Sequence, residues 1–174
     1  MRANIELSLK IIATCIALFG VLKYFYDLSL DRDRAAKSAA LARIERLGSG
    51  EIDDARSALF GFWVENAAAV AFLRDNPTTA NAYASFLLPA FRQAQNADAL
   101  HDAIYELAQH YDDVYFCLDS GVCDGPMIEA FYCPKVTVTQ NVYSPTLAAL
   151  KTQSGYSNFG WGLERLSERC PRQS

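Results

Sequence analysis

The residues equipped for chemistry are five cysteines, two histidines and two adjacent carboxylate pairs. Cys117, Cys123, Cys133 and Cys170 follow the spacing C-x5-C-x9-C-x36-C. A structural zinc site usually takes two thiolates from one turn, as in C-x2-C, so that both converge about 2.3 Å from the metal. That knuckle is missing, and no metal is expected. Four thiols permit three disulfide connectivities. Cys117 and Cys123 flank the turn Asp119-Ser120-Gly121 and would close a small loop, and a Cys133–Cys170 bridge would staple the tail to the core. Such bridges require an oxidising compartment. The alternative is four reduced, buried thiols in a cytoplasmic domain. Cys123, near a helix N-terminus, is the one candidate for thiolate chemistry, which needs a lowered pKa.

His101 and His110 are nine residues apart on one helix, about 13–14 Å along its axis, and cannot share a metal ion. Each reads as polar decoration. Asp53-Asp54 and Asp112-Asp113 are sequence neighbours, about 100° apart around a helix, and read as solvated faces rather than acid–base pairs. The chain has no G-x-S-x-G elbow, no phosphate-binding loop and no G-x-G-x-x-G fingerprint. Gly160-Trp161-Gly162 reads as a packing or turn feature. The expectation is a protein that is not an enzyme and carries no cofactor.

These residues sit in a chain of 174 residues, 51% hydrophobic and 21% charged, with 16 basic against 20 acidic residues and a net charge of −4. That composition excludes intrinsic disorder, and the mild acidity argues against nucleic acid as a partner. A mean hydropathy of zero suggests one greasy segment joined to a more polar body.

The greasy segment is at the start. Ile11 to Leu22 is an uninterrupted apolar run of about 18 Å, short of the roughly 30 Å of a hydrocarbon core. Lys10 and Lys23 bracket it, and with both ammonium groups drawn to the headgroups, Leu7 to Tyr26 becomes a twenty-residue span. Tyr24, Phe25 and Tyr26 then lie where an aromatic belt belongs. Gly20 and Ala17 offer a small-residue face to another helix. A cleaved signal peptide would need a small-x-small site after Leu22, where the chain instead continues Lys-Tyr-Phe-Tyr-Asp. A core or interfacial helix is the remaining alternative. On this reading residues 1–30 are an anchor in the lipid bilayer, residues 31–50 a basic helical stalk ending in Gly48-Ser49-Gly50, and residues 51–174 a helical domain.

In that domain, Ile52, Ala55, Leu59 and Phe62 share a helix face in the stretch Glu51–Leu73, with Ser49 as its cap. Asp75-Asn76-Pro77 breaks that stretch. Thr78 or Thr79 caps the next, Ala80–Ala94, which Pro89 should kink or end. Leu100, Ile104, Leu107, Tyr111, Val114 and Leu118 form the clearest stripe, over Asp98–Leu118. Asp124 opens a short helix that leads to Pro134. Val136–Val142 alternates as a strand would, although a helix start is the other option. Ser157–Arg169 closes the chain with Phe159, Leu163 and Leu166 on one side. The fold class is all-α: an N-terminal transmembrane helix plus five or six helices packed antiparallel in a small bundle, with disulfide staples.

Between His101 and Leu166 the segments Tyr111-Asp112-Asp113-Val114, Cys117-Leu118-Asp119-Ser120-Gly121-Val122-Cys123-Asp124, Glu129-Ala130-Phe131-Tyr132-Cys133 and Phe159-Gly160-Trp161-Gly162-Leu163 stand out. This stretch, over a third of the chain, resembles a group of small bacterial single-span helical membrane proteins of unknown function. The resemblance implies an anchored helical domain in the bacterial inner membrane and carries over no catalytic residue.

Orientation is set by opposing signals. Lys23, Arg32, Arg34 and Lys37 outnumber Arg2 and Lys10, which places the C-terminal side in the cytoplasm. Asp27, Asp31 and Asp33 dilute that count, and disulfides would put the domain in the periplasm, which is the reading adopted. The expected function is that of a non-catalytic binding protein, an accessory or assembly subunit of a larger membrane protein complex. Phe60, Phe62, Trp63, Phe131 and Tyr132 could form a second contact surface, most of them serving the core. The alternatives are a tethered thiol-redox or metal-binding protein, and a tethered regulator of a cytoplasmic partner.

Overall fold

The computed structural model describes residues 2–76 and 78–170, and the side chains from residue 16 onward except Ala17. Among these residues there are seven helices and no strand: α1 (Arg2–Leu47), α2 (Gly50–Glu65), α3 (Ala67–Asp75), α4 (Ala80–Gln93), α5 (Ala97–Asp119), α6 (Gly125–Ser154) and α7 (Trp161–Arg169).

The bundle is organised around α5. Its stripe of Leu100, Ile104, Leu107, Tyr111, Val114 and Leu118 is buried, as the spacing predicts. So are Ala103, Ala108, His110 and Cys117 beside it. The face Ile52, Ala55, Leu59 and Phe62 of α2 packs into the same core, with Phe62 against Phe91 of α4 at 4.4 Å between ring centroids. Helix α7 lays Leu163 and Leu166 on the other side.

The strand alternative for Val136–Val142 is replaced by helix. These residues lie in the middle of α6, with Val136 and Tyr143 buried seven residues apart on its inner face. Packing overrides the weak β preference of the branched side chains. Pro89, expected to kink or end its helix, and Pro134, expected to follow a short one, do not end them. Pro134 and Pro145 lie inside α6, and Pro89 inside α4. A proline removes the bond to the carbonyl four residues earlier. Those residues are Ala130, Asn141 and Ser85, all exposed, so water can satisfy the released carbonyls.

Two details at helix ends also differ from expectation. Ser49 is extended, but its hydroxyl donates back to the Glu45 carbonyl (3.1 Å) and does not cap α2. The stretch 51–73 is two helices, because Asn66 turns its side-chain amide onto the Phe62 carbonyl (2.8 Å) and interrupts it. Thr79 and Asp124 do cap, accepting from Ala82 N (3.3 Å) and Met127 N (2.9 Å).

Not every neighbouring pair is antiparallel. The Asp124 amide donates to the Ala36 carbonyl and the Tyr132 hydroxyl to the Arg43 carbonyl, so α6 ascends beside α1 in the same direction. The link from α5 to α6 therefore sits level with Ala36, and the end of α1 reaches into the core through one face, with Ala39 and Ile44 packed against it. Ala40 and Leu47 are buried there. The segment before it, Asp27 to Lys37, is exposed except for Leu28, Leu30 and Ala36, and carries local ion pairs Arg34–Asp31 and Lys37–Asp33.

Among the described residues no helix is long and apolar enough to cross a membrane. The expected span Leu7–Tyr26 is helical throughout, but the side chains of residues 7–15, Lys10 included, and of Ala17 lie outside the described residues.

Candidate functional site

The four cysteines form two disulfides, Cys117–Cys123 with Cα atoms 5.3 Å apart and Cys133–Cys170 with Cα atoms 5.2 Å apart. The first closes the tight link between α5 and α6, where Gly121 takes the left-handed conformation and the Val122 and Cys123 amides both donate to the Cys117 carbonyl. The second ties the end of α7 to α6. Cys117, Cys123 and Cys170 are buried, which suits staples rather than a reactive thiol. No group of three or more potential metal ligands occurs among the described residues.

His110 is not decoration. It is 1% exposed, because position 110 falls three residues after Leu107 and four before Val114, on the buried stripe itself. Its Nε2 lies 2.9 Å from the Tyr132 hydroxyl, which lies 2.7 Å from the Arg43 carbonyl. The carbonyl can only accept, so the single phenolic proton points to Arg43 and the tyrosine oxygen accepts from His110 Nε2–H. His110 Nδ1 is then an unprotonated nitrogen with no partner. Burial, reinforced by the positive charges of Arg46 and Arg43 and opposed by Asp113, lowers the His110 pKa to about 4. Burial likewise raises that of Tyr132. Both groups are neutral at physiological pH, and together they bolt α1, α5 and α6 at one level. Arg46 and Asp113 add an ion pair (3.2 Å) at the surface above them.

The two residues of the Asp112-Asp113 pair do different things. Asp113 is exposed, as expected. Asp112 is half-buried and turned inward, accepting from Gly162 N (2.6 Å) and Gly160 N (3.2 Å). It is the cap of α7, delivered from α5 across fifty residues of sequence. Burial raises its pKa, and the backbone hydrogen bonds from Gly162 and Gly160 work against that rise. Gly160 occupies the left-handed region at φ 67°, and a Cβ on Gly162 would stand 2.5 Å from Asp112 Cα. The Gly-Trp-Gly segment is thus a turn and a close helix contact, in line with the sequence reading.

Of the aromatic group, Phe62 and Tyr132 are buried, Trp63 and Phe131 are partly buried, and Phe60 is 70% exposed. Phe60 and Trp63 border a groove of about 690 Å³ between α2, α5 and α6. The indole of Trp63 donates to the Tyr143 hydroxyl (2.7 Å), and Arg56 and Lys135 also line the groove. The guanidinium of Arg56 also donates to the last carbonyl of α1, that of Leu47 (3.1 Å).

Lys23, Tyr24, Phe25 and Tyr26 are exposed on α1, as are Gly20 and the apolar residues Ile16, Leu18, Phe19, Val21 and Leu22. At 3.6 residues per turn these positions surround the helix rather than forming a stripe. No family model matches the chain, nor does any curated protein or solved structure.

Proposed function

We propose that the chain is a bitopic membrane protein: α1 crosses the lipid bilayer over Leu7–Tyr26, and the bundle stands outside it as a non-catalytic binding domain. The observation that carries this is the exposed part of α1. From Ile16 to Tyr26 the described apolar side chains point in all directions and are more than half exposed among the described residues. A helix that is apolar all round belongs inside a protein or inside a membrane, and contiguous exposed apolar surface of this kind marks an interaction site. The charged, ion-paired segment from Asp27 to Lys37 is suited to water or headgroups. Ala36, where the bundle begins, lies ten residues beyond Tyr26, about 15 Å further along the axis.

The role within this frame is that of an accessory or assembly subunit of a larger membrane complex. The span offers Gly20, exposed and without a side chain, as a place for a neighbouring helix to approach closely. The groove beside Phe60 and Trp63 is the surface the bundle offers to a partner. Two disulfides favour a periplasmic domain of a bacterial inner-membrane protein, since such bridges persist in oxidising compartments.

Alkaline carbonate extraction of cells expressing the full chain, followed by gentle detergent extraction and native electrophoresis, tests both parts. The span requires the protein to stay in the membrane pellet, and recovery in the carbonate supernatant would remove it. The subunit role requires co-migration with a larger assembly, and migration alone would remove that role while leaving the span intact.

A further inference from the structure

A second concavity, of about 610 Å³, opens where α5 passes the loop between α6 and α7. Part of its lining is aromatic: the rings of Tyr105 and Phe159 stack on each other with centroids 5.4 Å apart and planes within 10° of parallel. Tyr156, 74% exposed, stands beside them. The polar groups are of another kind. Gln109 donates its amide to the Tyr105 hydroxyl (3.0 Å), a bond that leaves unused the amide's own carbonyl oxygen and the phenolic proton. Gln153 and Asn158 add two more primary amides. Asp112 also borders the space, with both oxygens already accepting from the α7 backbone.

Among the described residues, no lysine or arginine lines it. Lys151, which acts electrostatically on Asp112, is paired with Glu164. A phosphate or carboxylate ligand would call for a cation here. A purely apolar ligand would desolvate three amides and return nothing to them. The ligand that fits has one apolar face and a neutral rim of groups that both donate and accept, as primary amides themselves do. The geometry points to a neutral sugar ring as the ligand of this pocket, its C–H face on the aromatic side and its hydroxyls on the amides of Gln109, Gln153 and Asn158. The sugar could be a free saccharide or one unit of a glycan strand, and the chemistry of recognition is the same for both.

The test is calorimetric titration of the full chain in lipid nanodiscs, free of glycoside detergents, with N-acetylglucosamine, with its linear tetramer and with choline. Saturable binding of either sugar supports the proposal. Tighter binding of the tetramer by about tenfold, roughly 1.4 kcal/mol, assigns the pocket to a glycan strand, and equal binding assigns it to a free saccharide. Tyr156→Ala and Gln109→Ala, both at exposed positions, should each weaken binding by about tenfold with an unchanged melting temperature. Phe60→Ala, in the other groove, should leave it unchanged. No saturable heat with either sugar overturns the proposal. So does saturable binding of choline in their place, since aromatic faces beside a carboxylate also suit a cation.

Discussion

Replacing His110 by phenylalanine should make the protein less sensitive to acid. Above pH 6.5 the imidazole is neutral in both folded and unfolded chains, and contributes no pH dependence. Between pH 6.5 and about 4 the unfolded chain takes up a proton that the buried ring refuses, so stability falls as pH falls. Below about 4 both states are protonated and the loss is complete. At about 1.4 kcal/mol per pH unit, the interval from 6.5 to about 4 amounts to roughly 3 kcal/mol. The reason for refusal is geometric. Nε2 already gives its proton to Tyr132, and a second proton on Nδ1 would be buried with no acceptor and opposed by the positive charges of Arg46 and Arg43. His110→Phe removes this titration and leaves the Tyr132–Arg43 bond in place. Urea unfolding of the full chain in mild detergent, followed by tryptophan fluorescence from pH 7.5 to 4, gives the stability of each protein at each pH. The variant starts lower at pH 7.5, having lost a buried hydrogen bond of about 1 kcal/mol. The difference between the two proteins should then shrink and reverse sign as pH falls. Parallel curves over the whole range would refute the account, and would mean that the ring is protonated in the native state or open to water.

Gly162→Ala forces a methyl group to within 2.5 Å of Asp112 Cα and 2.8 Å of the Tyr111 carbonyl, both backbone atoms. It should cost about 2–3 kcal/mol in thermal unfolding. Gly61→Ala, in the middle of α2 with nothing within 4 Å, should stabilise by up to about 1 kcal/mol. If the two substitutions had equal effects, the close approach of α7 to α5 would be wrong. Asp112→Asn keeps the shape but loses the charge and one of the two acceptor oxygens, and should destabilise by about 1–2 kcal/mol, seen first as faster amide exchange in α7. Thiol counting on the denatured, unreduced chain should return one thiol, that of Cys15, against five after reduction. Five before reduction would contradict both bridges.

What is legible in the sequence is whatever depends on local spacing. The stripe of α5, the inner face of α2, the cap at Asp124 and a cap of α4 at Thr78 or Thr79 are readable because each rests on spacings of a few residues. The two cysteine pairs are among the possibilities the spacing leaves open, and the turn between Cys117 and Cys123 points to one of them. The unity of α6 is not readable, since a proline is tolerated or not according to whether the carbonyl four residues back faces water, which only the packed structure decides. Asp112 is hidden for a related reason: its partners are backbone amides fifty residues away, and backbone amides leave no mark in a sequence. His110 is different. Its polar residue type points to the surface and its position on the Leu107–Val114 stripe points to the core; both are visible in the sequence, and position decides.

One consequence of α1 concerns mechanics. From Arg2 to Leu47 it is a single helix of 46 residues, about 69 Å, with no glycine pair, proline or break within it. Its lower part is the proposed span and its upper part is held in the bundle by Tyr132, Asp124 and Asp113. A helix gripped at one end behaves as a rigid shaft. A tilt, a rotation or a vertical shift imposed on it within the bilayer by a neighbouring protein would reach the α5–α6 pair undiminished, because the shaft has no joint in which to lose it. The first joint, at Gly48–Gly50, comes only after the grip. Motion transmitted from the membrane would therefore turn the bundle as a body.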